Sequence, residues 1–422
     1  MTKVSNILIL LIALSNAAFS EQKGTETLNL DKSIQLAVEN NLNIKISDSD
    51  VDIMSARHRK AKSPLYPQIR FRFILPFVER ESGVFADQLI WDFWKTPSLV
   101  RASSASLQSS RHQRSATIND VILNTKIAYY NLLINQNILE TNKNELKEFE
   151  KKFEQTENFV ELGRKSKLDL AKARVDIGHA KLNLLNSEKK LELARANFIN
   201  LLGMDEEFNF ELKDESGYES YDWDIKSLTQ YALKNRPELK RLLSDESSQR
   251  STLKAAKRDH YPKVVARAAY RFDGDGATGP DFIAGIGLNF PLFQGFSKVA
   301  QVNENKAALR KITTEIEIFK RNTIMDIKRL YLDIKYSRQK IDVTTDGLAS
   351  AEQTLELTEE LYKAGRKSMV DLLEAKSLYS RSKTDNLASI YNYKVALAKL
   401  EWATGEQLNK EDKTTDESKF IK

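Results

Sequence analysis

The 422-residue sequence contains no cysteine and only four histidines. Absent cysteine excludes disulfides, thiol nucleophiles, cysteine-ligated zinc or iron–sulfur sites, and a lipidated N-terminal cysteine. No nucleophile–base motif, P-loop or metal-ligand spacing is present, so the chain does not read as an enzyme and needs no cofactor. Glycine and proline are scarce, at 15 and 8 residues, about half their usual share, and so few chain-breakers predict long uninterrupted helices. Charge of one sign is also missing: 65 Lys and Arg against 59 Asp and Glu leave a net +6. That charge is spread without a dense basic block, which argues against nucleic acid as a partner. Beyond residue 20 no apolar run approaches the roughly 18 residues of a membrane-spanning helix.

What is present begins at the N-terminus. Residues 1–20 place Lys3 before an apolar run from Ile7 to Leu14, with the small residues Ala18 and Ser20 after it, the layout of a secretory signal peptide cut after Ser20. An internal repeat follows. Ala37-Val38-Glu39-Asn40-Asn41 matches Ala232-Leu233-Lys234-Asn235-Arg236, and Tyr66-Pro67 matches Tyr261-Pro262, both at an offset of 195. Gly163 with its flanks matches Gly365, and Gly203 matches Gly405, at an offset of 202. The chain therefore reads as a duplication, with a first repeat over 21–215, a second over 216–405, and a polar tail over 406–422 that is expected to be disordered. The stretch from Met204 to Ile225 is acidic and aromatic, with Tyr218, Tyr221 and Trp223, and is expected to form an irregular belt without chemistry.

Each repeat predicts the same parts. A helical opening over about 29–62, or 224–258, ends before Tyr-Pro and is followed by strands over about 67–77 and 84–93, or 263–273 and 282–292. Ile69, Phe71 and Phe73 alternate with Arg70 and Arg72, while Ala266, Ala268, Tyr270 and Phe272 alternate with Arg267 and Arg271. Period two with arginines on one face and apolar groups on the other marks a strand between two environments. Long helices come next, with heptad seams at Leu132, Leu139, Leu146, Phe153 and Val160, and at Ile334, Ile341, Leu348, Leu355 and Tyr362. A 3.5-residue period keeps one seam on a neighbouring helix, and about 65 residues make about 100 Å of helix. The return helices carry seams at Leu170, Ile177, Leu184, Leu191 and Phe198, and at Leu372, Tyr379, Asn386, Tyr393 and Leu400. Asn386 and the two tyrosines predict that this last seam faces something wetter.

Four strands cannot close a barrel, because the smallest have about eight, yet strands of about nine to eleven residues suit a bilayer. An open edge is not viable in lipid, so several copies must pool their strands. Arg70, Arg72, Arg267 and Arg271 would then line a watery lumen, with Tyr66, Trp91, Trp94 and Tyr261 in the interfacial aromatic belt. At the turn after each long helix, Gly365 is placed for a C-cap with φ > 0, and Ser368 for an N-cap with Asp371 at N3. Asp371 and Glu374 share a helix face. Such acids either complement the helix dipole or, repeated by several copies around a pore, form a ring that favours cations.

On these features the sequence resembles the TolC-type outer-membrane channel-tunnel proteins, the outer membrane efflux protein family. The duplication, the two Tyr-Pro switches, Pro291-Leu292-Phe293-Gln294-Gly295 and the Gly-x-x-Ser-x-x-Asp turns at Gly163 and Gly365 carry the likeness. It implies a mainly α protein with a small membrane β part, three protomers forming a twelve-stranded β-barrel joined to a long antiparallel α-helical coiled-coil tunnel. It also implies the outer membrane of a Gram-negative bacterium, with most of the chain in the periplasm. The implied function is a passive exit duct of a tripartite efflux pump or type I secretion system. Its partners would be two further copies, outer-membrane lipid, a periplasmic adaptor (membrane fusion) protein and an inner-membrane transporter. By the same resemblance Asp371 and Glu374 form the tunnel constriction, and Asp169, Tyr362 and Lys367 form a tip latch. Gly163, Arg164, Gly365 and Arg366 lie at the adaptor-docking tip. The first strand-to-helix switch, Ile90-Trp91-Asp92-Phe93-Trp94, departs from the pattern by lacking the proline and glycine of its twin, so Thr96-Pro97, with proline at N1, is expected to start the helix. The competing reading is a secreted periplasmic coiled-coil scaffold or adaptor without a barrel, which would have no use for the arginine-faced strand pairs.

Overall fold

Few chain-breakers do give long helices. The computed structural model describes residues 26–73, 82–205, 207–213, 217, 223–272 and 281–405. The expected signal peptide, the tail over 406–422, residues 74–77 of the first strand, the turn over 273–280, and Tyr218 and Tyr221 lie outside these. In chain order the elements are β1 (Glu26–Leu28), α1 (Leu30–Asn40), α2 (Leu42–Lys62), a 3-10 turn (Ser63–Leu65), β2 (Gln68–Arg72), β3 (Gly83–Trp91), α3 (Lys95–Glu161) and α4 (Lys167–Leu202). There follow β4 (Phe210–Leu212), α5 (Ile225–Asn235), α6 (Pro237–Arg258), β5 (Lys263–Arg271), β6 (Asp281–Asn289), α7 (Ser297–Lys363) and α8 (Met369–Thr404). Helices α3 and α7 have 67 residues each, α4 and α8 have 36 each, and α1 and α5 have 11 each.

Several expected boundaries move, each for a local reason. Both helical openings break in two. Pro237 starts α6 at the position proline favours, whereas Asn41 starts α2 by accepting the Asn43 N–H at 2.9 Å. Helix α3 starts at Lys95 rather than Thr96-Pro97, because the Asp92 carboxylate accepts the Thr96 N–H at 2.7 Å and so caps the helix. The turn before it is made by Phe93 and Trp94 at φ 52 and 70, matching Gly295 and Phe296 at φ 57 and 63. A side chain in that region costs about 1–2 kcal/mol, and ring contacts hold it: Phe93 stacks on Tyr261 at 5.1 Å and Trp94 meets Trp91 edge-on at 5.5 Å.

The chain forms two compact units, each drawing segments from both sequence repeats. The first comprises residues up to Asn40, Asn124–Tyr218 and Lys340–Lys394. Here β1 and β4 pair in parallel, Glu26 opposite Phe210. Their core is aromatic: Tyr129 and Phe198 are fully buried, Phe198 lies 5.4 Å from Phe210, and the Tyr129 hydroxyl donates to the Lys213 carbonyl at 2.6 Å. Gly203 ends α4 at φ 67, and a Cβ there would sit 2.9 Å from Asn40 Cβ. The second-repeat seam expected to be wetter is instead the more buried one. Leu372, Asn386, Tyr393 and Leu400 are buried, while Leu170, Ile177, Leu184 and Leu191 are only half-buried. Asn386 tolerates burial because its amide donates to the Thr345 hydroxyl at 2.9 Å, which removes the penalty of an unpaired polar group.

The second unit comprises Asn41–Leu123, Glu219–Gln339 and the chain from Val395. Its four-stranded antiparallel sheet has the order β2-β3-β5-β6. Its helices pack through short polar contacts. His58 meets Ser103 at 2.9 Å, Ser106 meets Ser248 at 2.9 Å, and Gln249 meets Asn305 at 3.0 Å, which places α2, α3, α6 and α7 side by side. Leu239, Leu242 and Ile316 form an apolar core beside them.

Candidate functional site

Strand pairing decides which residues share a face of the sheet. Asp87 lies opposite Gln68 on one side and Arg267 on the other, and Arg72 and Arg271 flank Gly83. By alternation one face carries Arg70, Arg72, Lys263, Arg267 and Arg271. The opposite face carries Ile69, Phe71, Val84, Tyr270, Phe282, Ile286 and Leu288, and its single amide, Gln88, spends its donors on the Leu65 and Leu89 carbonyls. The four arginines expected on a common face are therefore brought together. Asp87, which sequence reasoning did not single out, joins them: it pairs with Arg70, and Arg267 Nε lies 3.2 Å from its second oxygen. Arg72 lies over the Phe85 ring at 5.5 Å. Gly83 permits the close approach of β3 to β5, since a Cβ there would meet the Tyr270 carbonyl oxygen at 2.2 Å.

The aromatic side chains expected at a membrane interface are exposed, with Tyr66 64%, Trp91 44%, Trp94 51% and Tyr261 51% accessible. Trp91, Phe93, Trp94 and Tyr261 touch in sequence as one cluster at the strand ends. Just inside it, Asp259 pairs with Lys95 at the start of α3, and its other oxygen lies 3.7 Å from Lys298 in the first turn of α7. Burial pushes the Asp259 carboxyl up, but the Lys95 hydrogen bond and the charges of Lys95, Lys298 and Lys263 outweigh it and hold the pKa below its ordinary value.

The two hairpin turns are built alike. Gly163 and Gly365 adopt φ 66 and 71. Arg164 N–H reaches back to the Phe159 carbonyl at 2.7 Å and Gly163 N–H to Val160 at 3.0 Å; Arg366 reaches Leu361 at 2.8 Å and Gly365 reaches Tyr362 at 2.9 Å. This is the Schellman arrangement that closes a helix on glycine. Three residues later Ser166 and Ser368 cap the return helices. Asp169 N–H donates to Ser166 Oγ at 3.2 Å and Asp371 N–H to Ser368 Oγ at 3.3 Å, while each aspartate accepts from its serine hydroxyl and backbone N–H. The serine hydroxyl is the main reason both carboxyls have lowered pKa values.

These caps bear on the expected latch and constriction. Among the described residues, Lys367 lies 3.6 Å from Asp371 in its own turn, while Asp169 is held by Ser166, so one protomer does not bring Asp169 to Lys367. Tyr362 is 39% exposed rather than sealed at the end of its seam. Glu374 lies 3.5 Å from Lys152 on α3. Gly163, Arg164, Gly365 and Arg366 are all exposed at the turns. Among the described residues no cluster of His, Cys, Asp or Glu could hold a metal ion, and no helix is long and apolar enough to cross a membrane.

Two further residues escaped sequence reasoning. Arg236 is a cation only 5% exposed, placed between the Phe319 and Trp402 rings at 4.9 and 4.7 Å. Its available signal was its place immediately before Pro237, at a helix break. Asp259 could have been noticed as the acid that ends α6 two residues before Tyr261.

Comparison with known proteins follows the same features. The family model described as outer membrane efflux protein matches residues 78–204 and 228–406. Outer membrane protein TolC of Escherichia coli (strain K12) is 22% identical, over 97% of this chain and 88% of that protein. Outer membrane protein TolC of Vibrio cholerae serotype O1 is 23% identical over 77% and 76%. Among solved structures, the CmeC outer membrane channel of Campylobacter jejuni superposes with a TM-score of 0.77 at 18% identity, over 90% of this chain and 87% of that one.

Proposed function

The chain belongs to the outer membrane efflux protein family, and from that premise we propose that three copies close their sheets into one barrel and their helices into one periplasmic tunnel. The protein is an outer-membrane exit duct for efflux pumps. The observation that carries the assembly is the sheet itself. It has one apolar and one arginine face, and β2 and β6 are paired on one side only among the described residues. In lipid such edges must be paired by neighbouring copies. Three four-stranded sheets supply twelve strands. Exposed heptad-spaced stripes support the same reading for the helices: Leu168, Val175 and Leu182 on α4, and Val343 and Leu357 on α7, lie 51% exposed or more and suit the seam of an adjoining protomer. Equal lengths of the paired helices support descent of the protomer from a duplicated half.

In this assembly the arginine face lines the barrel, and Tyr66, Trp91, Trp94 and Tyr261 lie at the membrane boundary. Asp371 and Glu374, triplicated, constrict the tunnel and favour cations there. Asp169, Tyr362 and Lys367 latch the closed tip between hairpins; Asp169 must leave Ser166 to do so, and Lys367 must leave Asp371. The exposed turns at Gly163-Arg164 and Gly365-Arg366 receive a periplasmic adaptor, which links the duct to an inner-membrane transporter of an efflux or type I secretion system. Membrane fractionation and planar-bilayer recording test the proposal. A detergent-extracted trimer from the outer membrane that opens conducting pores is expected; recovery as a soluble monomer would sink it.

A further inference from the structure

We infer that the barrel carries a ring of arginines that binds phosphate- or carboxylate-bearing solutes at the outer end of the duct, apart from the cation-favouring acids at the tunnel tip. This rests on the reading of the sheet as part of a barrel. Five cations share the sheet face read above as lining the lumen, where Asp87 also lies, and register sets Asp281 opposite Arg271. Triplication turns this excess into a continuous positive band, which attracts anions in a confined aqueous pore.

The arrangement also organises the cations rather than merely collecting them. Asp87 is one-quarter exposed and lies between two guanidinium groups, Arg70 and Arg267, whose side chains are 63% and 73% exposed. The carboxylate takes one terminal nitrogen, Nη2, of Arg70 and the Nε of Arg267, so both terminal nitrogens of the exposed Arg267 fork remain for bidentate capture of a tetrahedral or planar oxyanion. One row away Arg72 is held over Phe85, and Arg271 Nε is shielded from water without a hydrogen-bond partner. Small residues line the same face opposite them: Gly285 lies across from Arg267, and Gly83 lies between Arg72 and Arg271. These glycines leave room for a solute beside Arg267, Arg72 and Arg271, whereas Arg70 lies across from Phe85. Lysine-rich or mixed-charge walls would attract anions too, but four arginines and one bridging carboxylate specify oxyanions in particular.

The test uses the full-length protein in planar bilayers with tripolyphosphate as the probe, added to one side at a time. Wild type is expected to be blocked from the barrel side. Arg70→Gln with Arg267→Gln should weaken that block by about tenfold or more, the loss of roughly one charge-assisted contact per copy. Asp87→Asn, which frees both guanidinium groups, should strengthen it. Equal block of wild type and the double variant would overturn the inference, as would block only from the tunnel side. Should the double variant fail to assemble, Arg271→Gln carries the same expectation and the same refutation. A wild-type protein that opens no pores at all would instead refute the duct reading, so the two failures are distinguishable.

Discussion

Replacing Arg236 offers the sharpest test of how the second unit is held together. Its guanidinium lies between Phe319 and Trp402, donates to the Thr323 hydroxyl at 3.3 Å, and lies 3.4 Å from Glu238 and 3.8 Å from Asp326. The Glu238 contact is ionic without hydrogen-bond alignment, since Arg236 Nε and Glu238 Oε2 have no hydrogen-bond partner. A desolvated cation–π contact is worth about 2 kcal/mol, and there are two. Removing one partner of a buried charge network costs about 3–5 kcal/mol, because Glu238 would be left behind uncompensated. Arg236→Ala should therefore destabilise the end of α8 by about 3–5 kcal/mol. Trp402 loses its cover there, although its indole N–H still donates to Asp120 at 2.7 Å. Hydrogen exchange of the amides over 395–405 reads local opening directly, and the expected acceleration is about 10²–10⁴-fold at 1.36 kcal/mol per decade. Arg236→Lys, which keeps the charge but not the flat fork, should fall between the two. An acceleration below about tenfold in Arg236→Ala would show that the rings and Asp120 hold α8 without the cation.

Two other perturbations follow from the junction below the sheet. Asp259 has a lowered pKa, so its contribution is fully present above the ordinary carboxylate value of about 3.9 and is lost as pH falls through the folded value. Asp259→Asn should lower the thermal midpoint at pH 7 and converge with wild type in acid; an identical offset at pH 3 and pH 7 would refute the pairing with Lys95 and Lys298. Gly83→Val should abolish sheet pairing, since even a Cβ meets the Tyr270 oxygen at 2.2 Å, and it is expected to yield no detergent-stable oligomer on native gels. Normal assembly of that variant would mean that β3 and β5 are farther apart than this register requires.

The parts legible in the sequence were those written in local chemistry. Gly163 and Gly365 announced left-handed caps, Ser166 and Ser368 announced the next helix, and the arginines of β2 and β5 announced a two-faced sheet. The small sheet of β1 and β4 was not legible, because three residues are too few to show an alternation and the partners lie far apart in the chain. Neither helix break was read: Asn41 is no chain-breaker, and Pro237, which is one, sits inside an opening read as continuous over 224–258. Asn386 misled for a different reason: its polarity was plain, but the threonine hydroxyls that receive it lie on another helix. Asp87 likewise acquires meaning only through register, which sets it beside Arg267 and within reach of Arg70.

Among the described residues, strands β2 and β6 leave the sheet with two unfinished borders, and this shapes how the protein must be made. A single copy cannot enter a bilayer and wait for company, because each unpaired border would carry bare N–H and C=O groups into hydrocarbon. In the proposed trimer, maturation is then a meeting problem before it is an insertion problem: the chains must find one another while their apolar faces are still in water. The rate of that step rises steeply with the amount of chain delivered. Scarce supply favours stray copies whose open borders invite mispairing, and any stray pairing that turned the arginine-bearing face of the sheet to lipid would carry a large penalty.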